Sequence, residues 1–189
     1  MSSMKLLILG LLMENERHPY EIRQTIKMRN WHTTFNVRDG SLYYAVDQMR
    51  EHDLIEASEI VTIPGENRPD KTIYRITEKG RKAFLKLLDK QILQVNYPQH
   101  PLFAALPFIM HGEPRLVLAA IEQHSEACKE RITMLEAVMS IKGDLLPKGS
   151  IQMIRGIIQL SEAERSWLEE MRNEAESGRL FESPCKKKE

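Results

Sequence analysis

The stretch Gly40-Ser41-Leu42-Tyr43-Tyr44-Ala45-Val46-Asp47-Gln48-Met49-Arg50-Glu51-His52-Asp53-Leu54-Ile55-Glu56 decides how this chain folds. Leu42, Ala45, Val46 and Met49 stand at i, i+3, i+4 and i+7, the spacing of one buried helix face. The spacing predicts a helix over residues 41–53. Tyr44, Asp47, Gln48 and Glu51 fall on its outer side, and Ser41 and Tyr43 on its flanks. After Leu54 the period changes. Residues 60–63 and 72–76 are β-branched strands, and residues 64–70 between them are dense in Pro, Gly, Asn and Asp, which reads as a hairpin with an exposed, partly basic tip.

Upstream, residues 4–13 form a short apolar helix. His18-Pro19-Tyr20-Glu21 opens a second, because Pro suits a first helical turn whose N–H has no partner to lose. Tyr20, Ile22 and Ile26 supply its apolar face, and the polar segment 36–40 leads into the third helix. Downstream, Thr77-Glu78-Lys79-Gly80 opens a fourth helix running to about Ile92, with Leu85, Leu88 and Ile92 on its inner side. The order helix, helix, helix, hairpin, helix is that of a winged helix-turn-helix. The expected fold is mainly α with a small β-hairpin wing, followed by an α-helical dimerisation domain.

A third helix held in this way is narrow enough to enter the major groove of B-DNA. Arg38, Ser41, Tyr43 and Tyr44 cluster at its start, where hydroxyls and free N–H groups can take phosphates. Gln48 can read an adenine edge. Arg68 and Lys71 on the wing can reach phosphates or the minor groove. A tyrosine packed on the first helix, or Ser41 acting only as a cap, is the competing reading of those side chains.

Charge neither demands nor forbids this. Lys plus Arg (27) equals Asp plus Glu (27) over 189 residues, so the argument from a basic pI is lost. Locally, residues 68–90 carry eight basic residues against three acidic ones, which a solvated helix face would also explain. Two cysteines, Cys128 and Cys185, are too few for a disulfide framework. The longest apolar run, residues 6–13, is far short of the roughly twenty residues of a membrane span, and charged residues follow it where a signal peptide would have its cleavage site. A cytoplasmic protein of a reducing compartment is expected, with no membrane partner.

Residues 40–56, with His18-Pro19-Tyr20-Glu21-Ile22 and residues 68–81, resemble the signatures of PadR-like transcriptional regulators. The chain departs from the usual form at Asp53, where Gly is common, and at Tyr44, where Pro is common. Asp53 is a mild departure, since Asp tolerates left-handed backbone better than most residues. Residues 101–110, a long helix, and residues 167–171 resemble the carboxy-terminal helical domain of the longer branch of that family. The resemblance covers most of residues 4–175. It implies a homodimer whose carboxy-terminal helices pack on the other subunit. It also implies that some members sense phenolic or other aromatic compounds, without transferring any one effector to this chain.

The second half supports a dimer separately. Residues 115–141 contain neither Pro nor Gly and, as a helix, span about 40 Å. Ile121, His124, Cys128, Arg131, Leu135 and Val138 recur at helical spacing, and a stripe that long needs a partner. Residues 143–149 interrupt the pattern and residues 150–176 resume it. Two antiparallel helices, or a coiled pair from two chains, are expected. The domains expected are a DNA-binding unit at 1–92, a helical dimerisation and candidate effector unit at 93–180, and a mobile tail at 181–189.

Phe103, Phe108 and Trp167 could line an aromatic effector site, with an ordinary inter-helix core as the competing reading. His124 and Cys128, at i and i+4, lack a third ligand at a supporting spacing, so no metal is expected. No cofactor is expected either. No nucleophile, Gly-rich phosphate loop or carboxylate pair accompanies His111 and Glu113, so an enzyme is not expected. The expected function is a dimeric, sequence-specific regulator of transcription on double-stranded DNA. Repression, relieved by a small aromatic effector, is the expected mode. A winged-helix module that presents its third helix to another protein is the alternative.

Overall fold

Helix α1 (Ser2–Glu14) is apolar on nearly every side and lies at the centre of its unit, with Ile8, Leu9, Leu11 and Leu12 buried. The computed structural model describes residues 2–61, 71–95 and 97–182. The chain divides into two compact units, Met1–Tyr97 and Pro98–Glu189.

In the first unit, α2 (Pro19–Met28) starts on a capping box. His18 Nδ1 accepts the Tyr20 N–H at 3.1 Å, and the Glu21 carboxylate accepts the His18 N–H at 2.9 Å. Ile22, Thr25 and Ile26 are its buried residues. Tyr20 departs from the expected face: it is 47 % exposed, and its hydroxyl accepts a hydrogen bond from Gln24. Glu14, at the end of α1, receives both Arg29 Nη atoms at 2.8 Å, and the Arg29 guanidinium lies 4.9 Å over the Trp31 ring. That clamp joins α1 to the turn after α2. It also holds the Glu14 carboxyl below the usual glutamate range, chiefly through the Arg29 hydrogen bond.

A one-turn helix α3 (Trp31–Thr34), which periodicity did not reveal, precedes α4 (Asp39–Glu51). Four residues are too few to show a period. The signal is chemical instead: Asn30 and Asn36, at φ 55 and 50, turn the chain at either side of α3, and Asp53, at φ 55, turns it after α4. Asn and Asp tolerate the left-handed region best among residues with a Cβ. Helix α4 begins two residues before the predicted start, so Gly40 and Ser41 lie in its first turn. Leu42, Ala45, Val46 and Met49 are 0–7 % exposed and pack with α1, Ile22 and Ile26.

Strand β1 (Ile55–Val61) starts five residues earlier than the β-branched run suggested, and it pairs antiparallel with β2 (Lys71–Ile76) from Ile55↔Ile76 to Val61↔Lys71. Glu56 and Glu59 hid the strand's start, yet Ile55 is 1 % exposed. A register irregularity between Ala57 and Glu59 turns the strand, and an antiparallel bridge between Arg17 and Tyr74 ties the wing to the connection after α1. The expected hairpin tip, including Arg68, lies outside the described residues.

Helix α5 (Glu78–Ile92) is capped by Thr77, whose hydroxyl accepts the Gly80 N–H at 3.0 Å and donates to the Asp53 carbonyl at 2.7 Å. Its inner face is Ala83, Phe84 and Leu87. The structure corrects two of the three expected inner residues: Leu88 is half-buried, but Leu85 is 54 % and Ile92 72 % exposed, because the cap at Thr77 and the close contact at Gly80 set the rotation of the helix.

In the second unit, 3-10 turns at Pro101–Ala104 and Leu106–His111 lead to α6 (Pro114–Lys142). A 3-10 turn at Gly143–Leu145 then reverses the chain into α7 (Lys148–Glu176). The two helices run antiparallel within one chain and bury Ile121, Cys128, Leu168, Met171 and Ala175 between them. The expected tail at 181–189 falls almost entirely outside the described residues.

Gly80 supplies a test of the joint between α4, β1 and α5. A Cβ there would stand 2.0 Å from the Leu54 carbonyl oxygen, whereas one at Gly40 meets nothing within 4 Å. Gly80→Ala is expected to destabilise by about 2 kcal/mol or more, as overpacking against backbone does. Gly40→Ala should be neutral or slightly stabilising. Chemical denaturation of the two variants reads the difference.

Candidate nucleic-acid interface

Helix α4 presents an open start. Arg38, at its N-cap, has extended backbone and makes no side-chain cap, so the first N–H groups of the helix lack a capping acceptor. Arg38 is exposed, with no ion pair among the described residues. Tyr43 is 41 % and Tyr44 61 % exposed, so neither ring is packed into the core. Ser41 is exposed, and its hydroxyl donates to the Arg38 carbonyl at 2.8 Å, leaving it free only to accept unless that bond is released. Gln48 is half-buried and its Nε2 donates to Glu51 Oε2 at 2.9 Å. This orients the amide, with its oxygen and its second N–H left for another partner.

An acid at this helix start would repel phosphate. Asp39 occupies that place, but Arg23 Nη2 reaches it at 2.6 Å and Lys27 Nζ at 3.5 Å, both from α2. The Arg23 hydrogen bond holds the Asp39 carboxyl below the usual aspartate range. The trio therefore carries a net single positive charge. Sequence spacing did not reveal this partnership, since Arg23 and Asp39 are sixteen residues apart. Beside it, a groove of about 420 Å³ runs along α4, lined among others by Lys5, Phe35, Val37, Ser41, Tyr44 and Gln48. Lys71, the first residue of β2, is exposed.

The residues expected to line an effector site sit in the second unit. The Phe103 and Trp167 rings meet edge to face at 5.5 Å, and both touch His100, at 5.6 and 5.1 Å. Phe108 is 67 % exposed and makes no ring contact among the described residues. Around His100 the fold also gathers His124 and Glu164, with ligand atoms all within 4.8 Å of one another. Glu164 comes from α7 and His100 from the turn before α6, which is why the spacing of His124 and Cys128 could not foretell them.

The geometry is that of a DNA-binding winged helix, and comparison with known proteins agrees. Residues 8–86 match the Transcriptional regulator PadR-like family. An uncharacterised protein of Lysinibacillus sphaericus is 34 % identical over 90 residues, which is 48 % of this chain and 78 % of that protein. The crystal structure of Bacillus subtilis PadR in complex with operator DNA superposes with a TM-score of 0.72 at 18 % identity, covering 93 % of this chain and 98 % of that one. The same protein in complex with p-coumaric acid gives 0.66 at 17 %, covering 91 % and 98 %. At such identities these two structures show a shared fold. This chain belongs to the PadR-like family of transcriptional regulators, which is not an enzyme family. Among the described residues, no helix is long and apolar enough to cross a membrane.

The Arg23–Asp39 pair has a pH signature. A depressed carboxyl contributes stability that is present above its unfolded pKa, about 3.9, and is lost as pH falls through the folded value. Glu14 does the same from about 4.3 downward. The double variant Glu14→Gln/Asp39→Asn is expected to lose stability at neutral pH and to show a flatter fall of Tm below pH 4.5, read by thermal melts across pH.

Proposed function

We propose that the chain is a dimeric, sequence-specific DNA-binding repressor whose α4 lies in the major groove. The observation that carries this reading is the division of α4 into a sealed face and a bare one, with its acid at Asp39 neutralised from α2. Arg38 and the open N–H groups of α4 take phosphates, Tyr43 and Tyr44 lie along the groove wall, and Gln48, aimed by Glu51, reads an adenine edge. Lys71 anchors the wing on phosphate, and the same role is proposed for Arg68, which lies outside the described residues. Ser41 contributes as its hydroxyl turns from the Arg38 carbonyl to DNA.

The helical unit supplies the dimer in this reading. Leu116, Ile141, Leu145 and Leu160 are each at least 66 % exposed in the single chain, which a second copy would cover. Two copies would then set their α4 helices about one DNA turn apart. A small aromatic effector would act by favouring one of two dimer geometries. Phe103 and Trp167 stand in the unit that would receive it, and p-coumaric acid, bound by the Bacillus PadR, is the first compound to try.

Fluorescence anisotropy with a duplex from upstream of the chain's own gene tests the reading. Affinity should fall steeply with salt, because neutralised phosphates release counterions. Arg38→Ala and Lys71→Ala should each reduce the salt slope by about one, while Gln48→Ala should cost about 1–3 kcal/mol at one base pair and relax specificity there. Salt-independent binding, or a partner protein retained by the doubly charge-reversed variant Arg68→Glu/Lys71→Glu that no longer binds DNA, would favour a protein-docking module.

A further inference from the structure

Among the described residues, a concentrated set of metal-ligating groups lies in the second unit. His100 caps the Pro101–Ala104 turn, His124 projects from α6, and Glu164 projects from α7. We propose that His100, His124 and Glu164 form a binding site for a divalent transition-metal ion, Zn²⁺ in preference to Ca²⁺ or Mg²⁺.

Two imidazole nitrogens and one carboxylate oxygen are the donor set of a borderline-soft ion, whereas Ca²⁺ and Mg²⁺ call for oxygen. The three ligand atoms already lie within 4.8 Å of one another. Four-coordinate bonds of about 2.0–2.2 Å put ligand atoms roughly 3.4 Å apart, so His124 must draw in by about an ångström while His100 and Glu164, now 2.9 Å apart, spread slightly, both within reach of side-chain rotation. Three protein ligands leave a fourth position open, the arrangement of an exchangeable rather than a permanently closed site.

The surroundings are those of a built site. The side chains of His100 and Glu164 are only 13 % and 21 % exposed, and the two meet at 2.9 Å. Arg131 holds the other Glu164 oxygen at 3.2 Å and also donates to Ser161 Oγ at 2.9 Å, an outer partner that orients the carboxylate. Trp167 packs edge-on against His100 at 5.1 Å and Phe103 lies tilted beside it at 5.6 Å, so Trp167 covers one side of the ring and lowers the local dielectric around Glu164.

Loading has one cost. The Leu102 N–H is donated to His100 Nδ1 at 3.2 Å, so without metal the ring hydrogen sits on Nε2 and points at Glu164. A cation held at Nε2 takes that hydrogen's place, and the long Leu102 contact is given up as Nδ1 becomes the protonated nitrogen. The site is therefore one that fills reversibly.

The test uses the full chain carrying Cys185→Ser, so that the tail thiol cannot compete, after stripping with a chelator. Titration with Co²⁺ alone, followed by displacement with Zn²⁺, should show one ion per chain and the d–d absorption of a low-coordinate nitrogen–oxygen site. Zn²⁺ should also raise Tm. His124→Ala should weaken Zn²⁺ binding at least about tenfold, while His111→Ala on the exposed turn should leave it unchanged. Glu164→Gln, which preserves shape, carries the same expectation should His124→Ala fail to fold. A cobalt spectrum indistinguishable from the free aquo ion overturns the proposal. So does Zn²⁺ affinity unchanged in a folded His124→Ala or Glu164→Gln. None of these readouts involves DNA, so the site stands or falls apart from the repressor reading.

Discussion

Four side chains of α4 are driven into the core of the first unit, and Tyr43, Tyr44, Asp47 and Glu51 are left exposed on the far side of that helix as a consequence. Leu42, Val46 and Met49 are at most 2 % exposed, and each buried side chain of this size is worth about 1.5–3 kcal/mol in apolar surface removed from water. A rotation of α4 that hid Tyr43 and Tyr44 would bring those apolar groups back to solvent. The orientation of the bare face is thus enforced from behind. The capping box on α2, the Glu14–Arg29–Trp31 clamp and the close approach of Gly80 to Leu54 all hold the scaffold that receives it.

Electrostatics then prepares that face for an anion without making the protein basic. With 27 positive and 27 negative residues the molecule has no overall pull on DNA. What matters is local. Arg23 and Lys27 absorb the charge of Asp39, Arg38 is left unpaired among the described residues, and Gln48 spends one N–H on Glu51. Asp47 and Glu51 remain on the outer side, and their charge is the part of the surface that a wrong approach to the duplex would meet first.

Much of this was legible in the sequence wherever a pattern repeated. The i, i+3, i+4, i+7 spacing in α4 and the long stripes of α6 and α7 each span enough turns to declare a face, and the PadR-like motifs fixed their order. What escaped was set by contacts between distant residues. Leu85 and Ile92 look like an inner face of α5, but Thr77 and Gly80 lock the helix so that Ala83, Phe84 and Leu87 turn inward. The strand β1 begins among glutamates because Ile55 alone needs to be buried there. His100 and Glu164 flank His124 only after the chain has reversed at Gly143–Leu145, so no spacing along the sequence announced the cluster.

Replacement of Tyr44 by a fluorinated tyrosine, followed by ¹⁹F NMR of the free protein and of its complex with duplex DNA, addresses the central claim most directly. An exposed signal in the free protein that shifts when duplex is added, and returns when salt dissociates the complex, is the predicted result. A residue 44 already shielded in the free assembly, or one unmoved while DNA is bound elsewhere, would contradict the account.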